Sequence, residues 1–337
     1  MSADITLPAG APEEVVTNAL VRDIDLAAFG GKGSMALITL DNGHDHNRPN
    51  TFGPQSVKAL DAAITDAIAR KPAAIAITGK PFIFAAGADL SALSFLSERS
   101  QSLAIGKLGH DVFRRLGESS IPTFAFINGL ALGGGLEVGL HCHYRTVAST
   151  AFTALPEVFL GLVPGWGGAT ILPKLIGPER AVQVIILNAL NNNTMMKAKD
   201  ALKLGVVDAM FEPADFLERS IGFAVNVLNG STKIERADYS NDPAWDSALA
   251  TGKAAALKKY GGAQIASPTK ALELIAAART NTLGQGFDAE DQVLADLTMS
   301  DPLRASLYAF NLIQKKRKKV EGAPKPALAR KVTKVGV

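Results

Sequence analysis

The chain has 337 residues, of which 47% are hydrophobic and 20% are charged, which excludes a wholly disordered chain. The net charge of +3 is concentrated at the C-terminus, where nine Lys or Arg residues and one acidic residue lie from Lys315 onward. The rest of the chain is therefore acidic. This argues against nucleic-acid binding, because nucleic-acid enzymes carry their basic surface on the folded body.

The cysteine content and the apolar runs indicate the cellular compartment in which the protein is expected. Cys142 is the single cysteine and cannot form an internal disulfide, which favours a reducing environment. No apolar run reaches the ~18 residues that a membrane-spanning helix requires. Residues 1–16 lack the basic and apolar regions of a signal peptide and the Arg-rich pattern of a transit peptide. We therefore expect a cytoplasmic protein that does not insert into membranes.

The first half of the chain alternates short apolar strands with helices. Helices are predicted over 54–70 and 100–116, where apolar residues recur at helical spacing. Apolar runs bounded by turn residues predict strands over 35–40, 73–79, 122–129 and 144–149. The strand at 122–129 ends in an Asn-Gly turn. This alternation predicts an α/β fold with a sheet core buried on both sides.

The second half of the chain loses the strand pattern after about Leu187. Helices are predicted over 195–204, 213–229, 269–283, 288–299 and 302–319. The polar residues 231–250 are predicted to form a loop. Residues 321–333 are rich in Ala, Pro and Lys without an apolar period, which is typical of a linker.

Two glycine-bearing turns in the first half are candidate ligand sites. Three glycines, Gly133 to Gly135, precede an apolar helical stretch, and Glu137 falls in its first turn. Glycines let a ligand approach the backbone, and a helix N-terminus offers free N–H groups to an anion or a developing oxyanion. The turn FAAGADL at 84–90 follows the strand 73–79 and can offer a backbone N–H in the same way. The alternative for Glu137 is simple helix capping, where glutamate is also favourable.

A second acidic residue, Glu157, lies in an otherwise apolar segment, LPEVFLGLVPGWGG at 155–168. A carboxylate in such surroundings is either exposed at the surface or functional, because isolated burial of a charge is costly. The sequence alone leaves both alternatives open.

Together the three segments resemble the enoyl-CoA hydratase/isomerase (crotonase) family. The resemblance covers about residues 35–225. It rests on AGAD at 86–89, GGG-x-E at 133–137, PE at 156–157, PG-x-GG at 164–168 and AKDALKLGVVDAMF at 198–211. It implies a crotonase-type spiral of repeated ββα units with a C-terminal helical region.

The resemblance also implies roles for named residues. Glu137 would activate the water that attacks the β-carbon of an enoyl-CoA thioester, and Glu157 would deliver a proton to the α-carbon. The backbone N–H groups of Ala88 and Gly134 would form an oxyanion hole for the thioester oxygen. Further substrate-binding residues would be Ala86, Gly87, Asp89, Leu90, Gly133 and Trp166. The implied activity is 2-trans-enoyl-CoA hydration in fatty-acid β-oxidation, with isomerisation or a non-catalytic acyl-CoA-binding role as alternatives.

No metal site is predicted. His141 and His143 are close in sequence, but no further ligand-type residues flank them as a metal site would require.

The C-terminal part of the chain resembles a connector. Residues 286–319 are similar to the helices that join the hydratase of bacterial fatty-acid oxidation α-subunits to a 3-hydroxyacyl-CoA dehydrogenase. Residues 331–337 resemble the first strand of that NAD-binding domain. The expected organisation is a hydratase core at 1–225, a helical region at 226–320, and a linker with a truncated strand at 321–337. This chain is then an N-terminal fragment without a cofactor of its own, and NAD belongs to the missing domain. Expected partners are a second copy of the chain or a thiolase subunit.

Overall fold

The computed structural model describes residues 10–313 of the chain. The linker predicted over 321–333 and the strand predicted over 331–337 lie outside these residues. The described part contains β1 (Asn18–Asp25), β2 (Ser34–Asp41), β3 (Ala74–Gly79), β4 (Ile83–Ala85), β5 (Thr123–Ile127), β6 (Leu130–Leu132), β7 (Tyr144–Ala148), β8 (Phe152–Ala154), β9 (Met196–Lys197) and β10 (Ala209–Phe211).

Helices surround these strands and make up most of the second half of the described residues. They are α1 (Pro54–Ala69), α2 (Arg99–Gly117), α3 (Gly134–His141), α4 (Gly168–Ile176), α5 (Pro178–Val182), α6 (Asn188–Leu190), α7 (Ala198–Leu204), α8 (Phe216–Leu228), α9 (Trp245–Lys259), α10 (Ala266–Ala278), α11 (Leu283–Thr298) and α12 (Asp301–Asn311). A π-helical turn, Gln183–Leu187, joins α5 to α6.

The strands form two sheets that share consecutive segments of the chain. The larger sheet has the order β1-β2-β3-β5-β7-β10, and the smaller has the order β4-β6-β8-β9. The pairs β3–β4, β5–β6 and β7–β8 each place one strand in each sheet, and a helical segment follows each pair. These repeated ββα units confirm the predicted crotonase-type spiral.

The centre of the spiral is apolar because its strands are covered on both faces. Every residue of β3 and of β5 is buried, as expected for parallel strands between layers of helices. The corner between β5 and β6 is the predicted Asn-Gly turn. There the Asn128 amide donates to the carbonyls of Gly79 and Lys80. This corner fixes the point at which the chain crosses from the larger sheet to the smaller one.

Two of the sequence predictions need correction, and several strands were not predicted. The predicted loop at 231–250 is wrong at its end, because α9 begins at Trp245 and buries Trp245, Ala248, Gly252 and Ala256 along one face. Residues 196–197 of the predicted helix 195–204 form β9 instead. The strands β1, β4, β6, β8 and β10 were not predicted. β1 is an edge strand that exposes most of its side chains and therefore lacks the apolar run expected of a core strand.

The C-terminal helices cover the end of the spiral at which the glycine turns lie. Helix α11 packs against α2, α10 packs against α4, and α12 packs against the 3₁₀ turn Glu157–Leu160. None of the helices in residues 10–313 is both long and apolar enough to cross a membrane.

Candidate active site

An apolar cavity of about 170 Å³ brings the two predicted glutamates together. Its lining includes most of the residues that the sequence singled out: Ala86, Gly87, Ala88, Leu90, Gly133, Gly134, Glu137, Glu157 and Trp166. Asp89 does not line this cavity. The Asp89 carboxylate accepts from the Ser91 N–H at 2.9 Å, and Asp89 lines a neighbouring cavity of about 1050 Å³ that shares Ala86, Ala88 and Leu90 with the first. The substrate contact of Asp89 stays a prediction.

The two glycine turns meet at the wall of the cavity. Gly87 has φ +84° and Gly133 has φ +52°, backbone conformations that glycine adopts without strain. A Cβ atom on Gly87 would lie 2.9 Å from the Leu132 carbonyl oxygen and 3.2 Å from the Gly134 nitrogen. The absence of a side chain at position 87 thus lets the two backbone segments approach each other.

The backbone N–H groups of Ala88 and Gly134 donate to no other group within residues 10–313. The bridge between Phe52 and Ala88 uses the Gly87 carbonyl and the Asp89 N–H, so the Ala88 N–H points away from Phe52. Gly134 is the first residue of α3, where a helix leaves its N–H groups without internal partners. Both residues line the cavity, and their N–H groups are suited to hold an oxygen that gains negative charge.

Glu137 is held at the cavity by two backbone donors. Its side chain is buried, and Oε1 accepts from the N–H groups of Trp166 at 2.8 Å and Gly168 at 2.9 Å. Oε2 accepts no hydrogen bond from the described residues. Burial first, and the charge of Glu290 second, raise the pKa of Glu137 to about 7, although the two N–H groups oppose this shift. This carboxyl therefore ionises close to neutral pH.

Glu157 lines the same cavity, but its carboxyl group has different surroundings from that of Glu137. It is the first residue of a 3₁₀ turn, and its Oε2 atom is buried without a hydrogen-bond partner among the described residues. Burial, followed by the neighbouring charge of Glu137, raises the pKa of Glu157 well above its ordinary range. Since Glu137 receives two N–H donors from another segment and Glu157 receives only its own backbone N–H, Glu137 ionises first and Glu157 keeps its proton.

Trp166 both lines the cavity and shapes its wall. The residue is 4% exposed, and its ring packs edge-on against Phe52 and Phe113. A Cβ atom on Gly134 would lie 2.5 Å from the Trp166 ring, so the indole rests directly on the start of α3. The backbone N–H of the same residue holds Glu137. Trp166 therefore occupies the aromatic core and the cavity wall at once.

The histidines near α3 are engaged in structural hydrogen bonds. His141 Nε2 lies 2.9 Å from the Trp166 carbonyl oxygen, and burial lowers the pKa of His141 to about 3. His143 Nδ1 accepts from the Thr123 N–H, and its Nε2 lies 3.1 Å from the Gly117 carbonyl oxygen. Within residues 10–313, no three His, Cys, Asp or Glu side chains are grouped to hold a metal ion.

The sequence did not reveal the part of the cavity wall that comes from the C-terminal helices. Leu294 and Thr298 of α11 and Phe310 of α12 line the cavity opposite the glycine turns. Leu294 and Thr298 are one helical turn apart, but such a pair is equally typical of a core contact. Only the packing of α11 on α2 shows which role they have.

Comparisons with known proteins show the family to which this chain is similar. The family described as enoyl-CoA hydratase/isomerase matches residues 30–258, more than half of the chain, and the match ends before α10. The fatty acid oxidation complex subunit alpha of Shewanella frigidimarina is 31% identical over 318 residues, which are 90% of this chain and 42% of that protein. The same subunit of Shewanella loihica is 30% identical over 307 residues, 86% of this chain and 42% of that protein. The chain thus spans about two fifths of the length of these curated relatives.

A solved structure shows the same fold. A carnitinyl-CoA dehydratase from Mycobacterium thermoresistibile superposes with a TM-score of 0.64 at 19% identity, covering 92% of this chain and 94% of that one. At this identity the likeness concerns the fold alone.

Proposed function

The chain belongs to the enoyl-CoA hydratase/isomerase family, and from that premise we propose that it adds water to 2-trans-enoyl-CoA thioesters in fatty-acid β-oxidation. One observation carries the proposal: two carboxyl groups line one apolar cavity, and only Glu137 receives backbone N–H donors from another segment of the chain. A hydration needs a base and an acid beside the same double bond. The unequal surroundings of Glu137 and Glu157 supply both at neutral pH.

The proposed mechanism places the thioester oxygen at the N–H groups of Ala88 and Gly134. The Glu137 carboxylate takes a proton from water while the water oxygen bonds to the β-carbon. The electron pair of the double bond moves toward the thioester oxygen, where the two N–H groups stabilise the developing enolate. The enolate then takes the Glu157 proton at its α-carbon. The net reaction adds one water molecule to the double bond. A proton that passes from Glu137 to Glu157 restores the starting protonation states of both residues.

Isomerisation of 3-enoyl-CoA to 2-enoyl-CoA is the second candidate. The observation that favours it is the Glu157 carboxyl, which has a buried oxygen without a partner and is free to carry a proton between the α- and γ-carbons. This reaction needs the same oxyanion hole but no attacking water. We place it second because the N–H groups that hold Glu137 serve no purpose in it.

The test follows the absorbance of the conjugated enoyl thioester. With crotonyl-CoA and a longer 2-enoyl-CoA, a hydratase removes the absorbance and forms a 3-hydroxyacyl-CoA. With a 3-enoyl-CoA, an isomerase creates it. We expect the first reaction to be the faster one. Binding of all these thioesters without any change in absorbance would favour a non-catalytic acyl-CoA-binding protein.

We expect kcat/KM for hydration to depend on pH with two limbs. The rate rises as pH increases through about 7, because Glu137 must be ionised to act as the base. It falls again at higher pH, because Glu157 must keep its proton and its pKa is also raised. The two limbs belong to the coupled pair. A profile that is flat around pH 7 would contradict this assignment of acid and base.

Substitution of Gly134 by alanine is expected to lower kcat/KM by roughly 10²-fold, the effect of a small misplacement at a reacting centre. The new Cβ would lie 2.5 Å from the Trp166 ring, so the indole or the start of α3 must shift. The control is Gly139→Ala on the same helix, where the nearest atoms are 3.6 Å away and activity should persist. Equal activities of the two variants would exclude the proposed close approach at Gly134.

The larger protein context is also a proposal. We propose a hydratase that works beside a 3-hydroxyacyl-CoA dehydrogenase, with NAD bound only by that second activity, and its support is that the chain spans only 42% of the length of the similar α-subunits. Their names place them in a fatty acid oxidation complex, and a thiolase subunit is the partner that we propose. The hydration step itself needs no cofactor in this mechanism.

A further inference from the structure

Helix α11 sends two adjacent carboxyl groups toward the active site from outside the sheets. Glu290 is 0% exposed and Asp291 is 2% exposed. Both contact the ring of His110 on α2: Glu290 Oε2 lies 3.2 Å from Nε2, and Asp291 Oδ1 lies 2.8 Å from Nδ1. An imidazole held between two carboxylates donates from both nitrogens when it carries its charge. We call these three residues the His110 network.

The surrounding residues fit this network closely. The Phe287 ring stacks on His110 with centroids 4.7 Å apart. A Cβ atom on Gly106 would lie 2.7 Å from Asp291 Oδ1, so this position of α2 has no room for a side chain. Burial opposes a charge on His110, but the hydrogen bonds to Asp291 and Glu290 outweigh burial and raise the pKa of His110 to about 9. The imidazole is therefore positively charged at neutral pH.

The network is joined to Glu137 through three consecutive backbone N–H groups. Those of Trp166 and Gly168 donate to Glu137 Oε1, while that of Gly167, between them, donates to Glu290 Oε2 at 2.6 Å. Gly167 has φ +108°, which sends its N–H away from Glu137. The same short segment is thus held between two glutamates. A shift of Glu290 would turn the N–H groups that hold Glu137.

A structural role alone is a poor explanation for this network. Buried charges are costly, and apolar side chains of similar volume often hold helices together equally well or better. Here Glu290 Oε1 is even buried without a partner among the described residues. The network lies where Glu290 accepts a hydrogen bond from the backbone segment that holds Glu137.

We propose that Glu290, itself held by His110, is a positioning residue that orients the N–H groups at Glu137. This inference rests on the proposed hydration. It makes α11, which lies outside the residues that carry the family motifs, part of the active site.

The charged and titratable groups around Glu137 fix the expected direction of each effect. Three of these groups face Glu137: Glu157 on the 3₁₀ turn, Glu290 on α11 and His110 on α2. Asp291 lies behind His110. His141 on α3 is neutral. The Glu290 charge raises the pKa of Glu137, and the His110 charge lowers it. Removing the Glu290 charge should therefore move the acidic limb of the pH–rate profile to lower pH, and removing the His110 charge should move it to higher pH.

The experiment compares Glu290→Leu, Glu290→Gln and His110→Gln with the unmodified chain, using crotonyl-CoA. Glu290→Leu should lower kcat by roughly 10- to 100-fold, the rate equivalent of one hydrogen bond to a charged group, with little change in KM. Glu290→Gln keeps an oxygen for the Gly167 N–H and should retain most of kcat. Its acidic limb should move to lower pH, whereas that of His110→Gln should move to higher pH. Asp288→Asn replaces an exposed carboxylate of the same helix and should leave all parameters unchanged.

A folded Glu290→Leu variant with the kcat of the unmodified chain would overturn the proposal. So would equal losses in the leucine and glutamine variants without a movement of the acidic limb. If Glu290→Leu does not fold, Glu290→Gln and His110→Gln test the proposal instead. An acidic limb at the same pH in both variants as in the unmodified chain would then contradict it.

A measurement without turnover separates this inference from the proposed function. An NMR titration of the Glu137 side-chain carboxyl carbon reports the same ionisation in the free chain. Opposite movements of the titration midpoint in Glu290→Gln and His110→Gln would support the network even if the unmodified chain hydrated no thioester. In that case only the proposed function fails. An unmoved midpoint in both variants overturns the network, whatever the activity.

Discussion

Replacing Glu137 with glutamine is expected to lower kcat for crotonyl-CoA hydration by roughly 10²–10⁴-fold, the usual contribution of a general base. The amide oxygen of glutamine can still accept from the Trp166 and Gly168 N–H groups, so the side chain keeps its place. What it loses is the ability to take a proton from water. KM should change little, because the thioester is held by other groups.

The same substitution should not destabilise the fold. Burial raises the folded-state pKa of Glu137 to about 7 from an ordinary value of 4.5, so the native chain loses stability as pH rises through this interval. A neutral glutamine avoids this penalty. Thermal unfolding on either side of pH 7 should show the variant to be at least as stable above it. Glu273→Gln, an exposed carboxylate paired with Lys270, is the matched control and should leave kcat unchanged. A Glu137→Gln variant with unreduced kcat would contradict the role of base.

Replacing Glu157 with glutamine should also lower kcat by roughly 10²–10⁴-fold, but for the opposite reason. This residue is expected to give a proton, and an amide cannot deliver one to the α-carbon. Because Glu157 Oε2 has no partner among the described residues, the substitution breaks no hydrogen bond there. Substrate binding should therefore persist while the product fails to form.

The pH dependence of the residual activity separates the two variants. Glu157→Gln should lose the alkaline limb and keep the acidic one, since Glu137 still ionises. Isomerisation of a 3-enoyl-CoA should fall in parallel if Glu157 carries the proton in that reaction as well. A residual rate that keeps the alkaline limb of the unmodified chain would assign the acid to another group.

The sequence was sufficient for the fold class and for the part of the cavity wall that the glycine turns, the two glutamates and Trp166 provide. Apolar runs such as β3 and β5 are buried on both faces and can be recognised without a structure. Glycines next to a helix start predicted the turn at Gly133, because positive φ and close backbone approach both require glycine there.

What the sequence could not show depends on contacts between distant segments. Glu290 and Asp291 look like ordinary polar positions of a surface helix, and their burial follows only from the packing of α11 on α2. The N–H groups that hold Glu137 come from Trp166 and Gly168. The identity of these residues does not show in which direction their backbone N–H groups point. β1 escaped prediction because an edge strand can expose most of its side chains.

In the proposed reaction, this site adds water to a 2-enoyl thioester by means of two carboxyl groups. The most direct measurement incubates the chain with crotonyl-CoA in deuterated water that carries a heavy oxygen isotope. Mass spectrometry should then find 3-hydroxybutyryl-CoA with the heavy oxygen at its β-carbon and deuterium at its α-carbon, and neither label with Glu137→Gln or Glu157→Gln over the same time. Recovery of bound but unlabelled crotonyl-CoA from the unmodified chain would contradict the proposal.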